Sequence, residues 1–214
     1  MVGTHDLLFF ILAGWLLNIT PGPDTALIVA RSTQLGLRGG VAAVAGIGSG
    51  IMVHVTAAAL GISAVIAASA AAFSAIKFMG AAYLVYLGIR MILTRRAQAG
   101  LDPAAVPKAP ALPLATVFRQ GFITNALNPK VALFFLAFQP QFVDAGAPSK
   151  ALALFFLGVV FNINGTIWNL IVAAVTARAA NAVRGARAYQ HWIDRGIGAI
   201  FVAFGIRLAL VQRD

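Results

Sequence analysis

The sequence predicts an all-α integral membrane protein: six transmembrane helices forming two inverted three-helix repeats, with helices 1 and 4 broken by proline. Three observations carry this. Sixty per cent of the 214 residues are apolar, ten per cent are charged and the mean hydropathy is +0.88, more apolar surface than a soluble domain of this size buries. Six apolar stretches, about residues 7–30, 41–67, 73–93, 114–142, 151–177 and 192–211, each meet the roughly 20 residues needed to cross the hydrocarbon. Finally, a proline-broken segment occurs twice: Asn18-Ile19-Thr20-Pro21-Gly22-Pro23-Asp24 in the first half, and Asn125-Ala126-Leu127-Asn128-Pro129-Lys130 in the second.

Span one starts close to the N-terminus without a basic segment before it, so it is read as a retained helix and not as a cleaved signal peptide. Proline removes a backbone donor and collides with the carbonyl one turn back, and lipid supplies no replacement hydrogen bond. A break of this kind survives where it lines a cavity, and matched breaks in two halves point to the binding site of a secondary transporter. Thr20 or Gly22 is placed to cap a half-helix starting at Pro21 or Pro23.

Span two carries Gly46-x-x-x-Gly50-x-x-x-His54, read as two close-packing glycines with a histidine at the span centre. Span three ends in Gly88-Ile89-Arg90. The stretch 98–113, with Pro103, Pro107, Pro110 and Pro113 among small residues, reads as an extended cytoplasmic linker dividing one membrane domain into repeats 1–97 and 114–214. Span four holds the second break, where Asn128 is placed to cap a half-helix beginning at Pro129. Span five offers Asn162, Asn164 and Asn169, of which Asn164 is assigned to the site. Span six ends in Gly205-Ile206-Arg207, answering span three. Three spans is an odd number, so the second copy enters from the opposite side.

Basic residues fix the expected orientation. Arg31, Arg38, Arg90, Arg95, Arg96, Lys108, Arg119, Arg178, Arg184, Arg187 and Arg195 flank loops one, three and five, whereas the other side has Lys77, Lys150, Arg207 and Arg213. The positive-inside rule puts loops one, three and five in the cytoplasm and both termini outside a cytoplasmic (inner) membrane. The net charge of +10 therefore reads as topology, and no nucleic-acid partner is expected.

The chain contains no cysteine and no glutamate, which excludes disulfides and thiolate sites and leaves little for a hard-cation cage. No metal and no cofactor is expected. An enzyme is not expected either, since His54 and Asp24 lie on different spans with no other buried acid to join them. No nucleotide-binding loop is present. A metal-ion exporter is the rival reading, and the missing thiols and paired carboxylates count against it.

Thr20-Pro21-Gly22-Pro23-Asp24 followed by Ala30-Arg31, the Gly46/Gly50/His54 stripe, Gly80-Ala81-Ala82-Tyr83-Leu84-x-Tyr86-Leu87-Gly88, and Gly121-Phe122-x-x-Asn125 to Asn128-Pro129-Lys130 with Phe134-Phe135 run through nearly the whole chain. In these motifs the sequence resembles the lysine exporter (LysE/RhtB) family of amino-acid efflux proteins. The resemblance implies a secondary transporter that exports amino acids or close derivatives, homoserine- or threonine-like or otherwise neutral or basic, in exchange for protons. Position 51, acidic in some relatives, is Ile51 here.

On this reading Asn18, Thr20, Pro21, Gly22, Pro23, Asp24, Asn125, Asn128, Pro129, Lys130 and Asn164 form the substrate site. The half-helix starts offer free amides and positive dipole ends to a substrate carboxylate. Asp24, the one acid well inside a span, is the candidate for the substrate ammonium or a coupling proton; capping the restarted helix is its plainer role. Lys130 is placed to hold the carboxylate or to neutralise Asp24, with snorkelling or permanent pairing as the plainer alternatives. His54 is a second proton candidate, or a neutral histidine bonded to a neighbouring helix. The small-residue faces that pack six helices suit a homodimer equally well.

Overall fold

The computed structural model describes residues 3–62 and 112–178, with isolated helical positions between 75 and 93 and between 199 and 206. The expected third and sixth spans, most of the linker, the paired Gly-Ile-Arg motifs and the fifth loop lie outside the described residues. What is described is helical, with no strand beyond a single bridge between Thr4 and Val143.

Helix α1 spans Leu7–Ile19 and α2 spans Pro23–Ala57, with Thr20, Pro21 and Gly22 between them. Proline at the first position of α2 costs only a donor that a helix start leaves unused. One residue inside α2 leaves the helical region: Gly36, at φ 65° and ψ −161°, a conformation that glycine adopts without a Cβ clash. The chain folds back there. A Cβ on Gly40 would lie 2.2 Å from Ser32 Oγ, and one on Gly39 would lie 2.6 Å from the Arg31 carbonyl. A straight helix would separate residues eight apart by about 12 Å.

The expected first loop, about residues 31–40, is therefore corrected to a one-residue turn, with Arg31 and Arg38 on the helical limbs at either side. Gly39 and Gly40 let the limbs approach closely enough that no longer loop is needed. A π-type turn, Ala58–Ile62, ends this arm.

Helix α3, Leu114–Ala126, packs along the returning limb of α2 almost backbone to backbone. A Cβ on Gly46 would come within 2.0 Å of the Phe118 carbonyl, one on Gly50 within 2.8 Å of the Phe122 carbonyl, and one on Gly121 within 2.5 Å of the Ala43 carbonyl. Such interfaces are built from small residues because lipid offers no hydrophobic drive, leaving dispersion contact to hold the helices. After Leu127 and Asn128 the chain restarts as α4, Pro129–Leu133, then tightens through a π turn, Phe134–Phe138, and a 3₁₀ turn, Gln139–Phe142. The segments before and after this break are bent by 45°. Helix α5, Lys150–Arg178, is long and apolar enough to cross a membrane; Pro23–Gly61 is so by length and composition, although it folds back at Gly36, and the bent pair makes a third such span.

Contacts at the two ends fix the directions. At one end Thr4 bridges Val143, and the His5 amide donates to the Phe142 carbonyl at 3.1 Å. At the other, Arg31 Nε donates to Gln120 Oε1 at 3.1 Å, and Gly40 abuts Ala173. So α1 and α3 run in opposite senses, and each breaks about midway, after 13 helical residues. Phe10, Phe134, Phe138, Phe142 and Phe161 stack between α1, the segment after α4, and α5, with Phe134 and Phe161 centroids 4.7 Å apart. Gln139, fully buried, donates to the Leu154 carbonyl at 2.6 Å and ties that segment to α5.

Candidate functional site

The two breaks meet. Asp24, in the first turn of α2, accepts on Oδ2 from Asn125 Nδ2 at 2.9 Å and Asn128 Nδ2 at 3.1 Å, the two asparagines at the second break. Lys130, just past the second break, donates from Nζ to the carbonyls of Leu17 at 2.7 Å and Thr20 at 2.8 Å, at the first. Each break thus receives the charged side chain that follows the other. This crossed exchange is the arrangement that a pseudo-two-fold axis between inverted halves would generate.

Helix ends explain why these side chains are needed. The last carbonyls of a helix have no intrahelical donor, and lipid provides none. Lys130 supplies two donors to the end of α1, where a cation also suits the negative pole of the helix dipole. Thr20 adds a third closure by donating from Oγ1 to the Leu16 carbonyl at 2.8 Å. At the end of α3 the Asn125 carbonyl lies 2.9 Å from His54 Nε2, a geometry in which Nε2 carries the proton. His54 also lies over Phe135, ring centroids 6.1 Å apart. A basic residue therefore closes the first half-helix of both broken spans.

Several alternatives left open by the sequence are decided by this geometry. Of Thr20 and Gly22, Gly22 occupies the cap position of α2, while Thr20 bonds backwards to close α1. Asn128 caps α4 as expected from its sequence position, its Oδ1 accepting from the Lys130 amide at 3.0 Å. The Asp24 carboxylate and the Lys130 ammonium form no ion pair.

A cavity of about 20 Å³, room for one water, sits between the breaks. Asn18, Thr20, Gly22, Asp24, Asn125, Asn128 and Lys130 line it, all of them expected at the site. Pro21, Pro23 and Pro129 shape the backbone without reaching it, and His54 stands behind Asn125. Asn164 is not among the residues that line the cavity; its Nδ2 lies 3.9 Å from where a Cβ on Gly14 of α1 would sit, while α5 contributes Phe161 and Asn169 to the lining. The sequence reading assigned none of Leu17, Thr25, Ile47, Ile51, Val131 and Phe161 to the lining, and Asn169 it offered only as one of three span-five asparagines. Around it, Asn18 Nδ2, Asp24 Oδ1 and Asn125 Oδ1 are buried without a hydrogen-bond partner among the described residues. Two unpaired acceptors, one of them a carboxylate oxygen, suit a cation, and an unpaired amide donor suits an anion.

The LysE type translocator family model matches residues 15–212. An uncharacterized membrane protein of Pseudomonas aeruginosa is 29% identical over 208 residues, 97% of this chain and 96% of its own length. The uncharacterized membrane protein YrhP of Bacillus subtilis is 30% identical over 210 residues, covering 96% and 99% of the two chains. A leucine efflux protein of Salmonella typhimurium is 26% identical over 197 residues, covering 91% and 90%. No solved structure matches the chain.

Proposed function

The chain belongs to the LysE type translocator family, multi-pass membrane transporters and not enzymes, and on that premise we propose that it exports amino acids across the cytoplasmic membrane in exchange for protons. The observation that carries the proposal is the crossed closure of the two mid-span breaks around Asp24 and Lys130. Charges this deep in a membrane are expensive enough that a transport role is their default reading. The leucine efflux relative supports an amino-acid cargo.

In this mechanism the substrate ammonium binds Asp24 Oδ1 and Asn125 Oδ1, both without a partner in the closed cavity. Its carboxylate takes the remaining Lys130 hydrogen and the first amides of α2, Asp24 and Thr25, which lie outside the intrahelical ladder. Asp24 holds either the ammonium or a proton, and that exclusivity couples the two fluxes in opposite directions. His54, behind Asn125, relays or stabilises the proton. A cavity the size of one water is a closed state, so loading requires the two breaks to part.

The two halves act as inverted repeats, 1–97 and 114–214, joined by the 98–113 linker. Arg31, Arg38, Arg119 and Arg178 gather at the end of the bundle where α3 begins and α5 finishes, and Lys150 lies at the other. This supports a cytoplasmic placement of the arginine-rich end, with the N-terminus outside.

Cells overproducing the protein and loaded with labelled amino acids are expected to release them faster than control cells, and to grow under a toxic amino-acid or dipeptide load. Tolerance to a metal load with no change in amino-acid release would instead favour the metal-ion exporter.

A further inference from the structure

We propose that the transported molecule is a neutral amino acid with an apolar side chain, selected by an aliphatic and aromatic wall in which Ile51 is the residue that decides between neutral and cationic substrates. This rests on the efflux reading above and narrows it.

The cavity lining has two chemically distinct sets of residues. One set carries the polar groups already assigned to the ammonium and carboxylate. The apolar lining is Leu17, Ile47, Ile51, Val131 and Phe161, none more than 5% exposed, with Asn169 as an uncharged polar member assigned to neither end of the zwitterion. Ile47 and Ile51 are four residues apart on the returning limb of α2 and so present a continuous branched surface on one helix face. That limb cannot retreat to make room for polar atoms. Its neighbouring stripe, Gly46 and Gly50, is already in backbone contact with α3, closer than a single added Cβ allows.

Charge counting gives the same answer. The lining contains one acid, Asp24, and one base, Lys130. A zwitterionic head group matches them one for one. A lysine or arginine side chain adds a positive charge facing five hydrocarbon side chains, and a glutamate side chain adds a negative one. The cation finds no second acid, since residues 7–57, 114–142 and 150–178 contain none except Asp24, and the anion finds no second base in the lining, where Lys130 is the one present. Burying an unpaired charge there is prohibitive. A branched aliphatic side chain, in contrast, fills the wall, and each methylene lost from it costs between about 10- and 200-fold in selection.

The test uses purified protein in proteoliposomes, with labelled leucine efflux competed by unlabelled valine, alanine, lysine and glutamate. Valine, one methylene shorter, is expected to compete at least about tenfold more weakly than leucine, and alanine, lysine and glutamate at least about a hundredfold more weakly. Ile51→Asp is expected to admit lysine as substrate while lowering leucine efflux, and Ile51→Val to keep leucine efflux within about threefold. Lysine competing as well as leucine in the unaltered protein would overturn the proposal. So would an Ile51→Asp variant that is folded, retains leucine efflux and gains nothing for lysine. If Ile51→Asp does not reach the membrane, the competition series on the unaltered protein still decides. Release of none of these amino acids would remove the efflux reading itself, and this inference with it.

Discussion

Replacing Lys130 by Met keeps the length and apolar stem of the side chain and deletes the ammonium that closes α1. Two carbonyls lose their donors, Leu17 at 2.7 Å and Thr20 at 2.8 Å, and both residues are nearly inaccessible, at 1% and 5% exposure. Each buried acceptor left unpaired costs about 1–3 kcal/mol. The cavity beside them has room for one water, which could bond to one or both carbonyls and recover part of the loss. The net destabilisation is about 2–4 kcal/mol, which for a chain of this length lowers the melting temperature by roughly 5–15 °C. Thermal unfolding of the purified variant in detergent measures this directly, and Lys130→Arg, which retains charge and donors, is expected to recover at least half. The double variant Asp24→Asn, Lys130→Met is expected to remain inactive and less stable than the unaltered protein, because each charge also holds partners of its own, Asn125 and Asn128 for Asp24 and the Leu17 and Thr20 carbonyls for Lys130. A double variant more stable or more active than either single variant would show instead that the pair compensates directly. A Lys130→Met protein melting within about 2 °C of the unaltered one would refute the assignment of Lys130 to the helix end.

Asn128→Ala removes a cap and one of the two donors to Asp24, and is expected to cost about 1–2 kcal/mol in unfolding measurements while lowering transport severalfold. Gly46→Leu, driving a side chain into the Phe118 carbonyl, is expected to abolish accumulation of folded protein, whereas Gly61→Leu, with nothing within 4 Å, should accumulate normally. Single cysteines at Arg38 and Ala147 report orientation: an impermeant thiol reagent applied outside should label the second and spare the first, and the reverse pattern would invert the topology. Pro129→Ala should let α3 and α4 merge and impair transport more than membrane insertion; normal efflux from a well-expressed variant would make the break purely structural.

How much of this was readable in the sequence depended on how local the cause was. Proline at a helix start and an asparagine before it act within one turn, so the two breaks and the Asn128 cap could be placed from residue order alone. The Gly46/Gly50/His54 stripe was equally legible, because four-residue spacing puts all three on one face, and that face meets α3. The fold-back at Gly36 was not. Nothing in a run of helix-forming residues marks one glycine among several as the one with positive φ, so a loop was expected where a single residue suffices. Nor was the job of Lys130: a charge within a span reads as a substrate or ion-pair residue, and that its ammonium closes the end of a helix 113 residues earlier depends on how the halves dock. Asn164 and Asn169 look alike in sequence, and which one reaches the cavity is set by the rotation of α5 against α1. The apolar wall was hidden for a simpler reason, since Ile47, Ile51 and Val131 sit among dozens of aliphatic residues that face lipid or neighbouring helices.

The central claim is that Asp24 alternates between a substrate ammonium and a proton. Reconstituted protein under an imposed pH gradient tests it: labelled leucine should move against the proton flux with the unaltered protein, and Asp24→Asn, still folded and inserted, should lose that gradient-driven movement. Gradient-driven leucine transport surviving in Asp24→Asn at an unchanged rate would contradict the account.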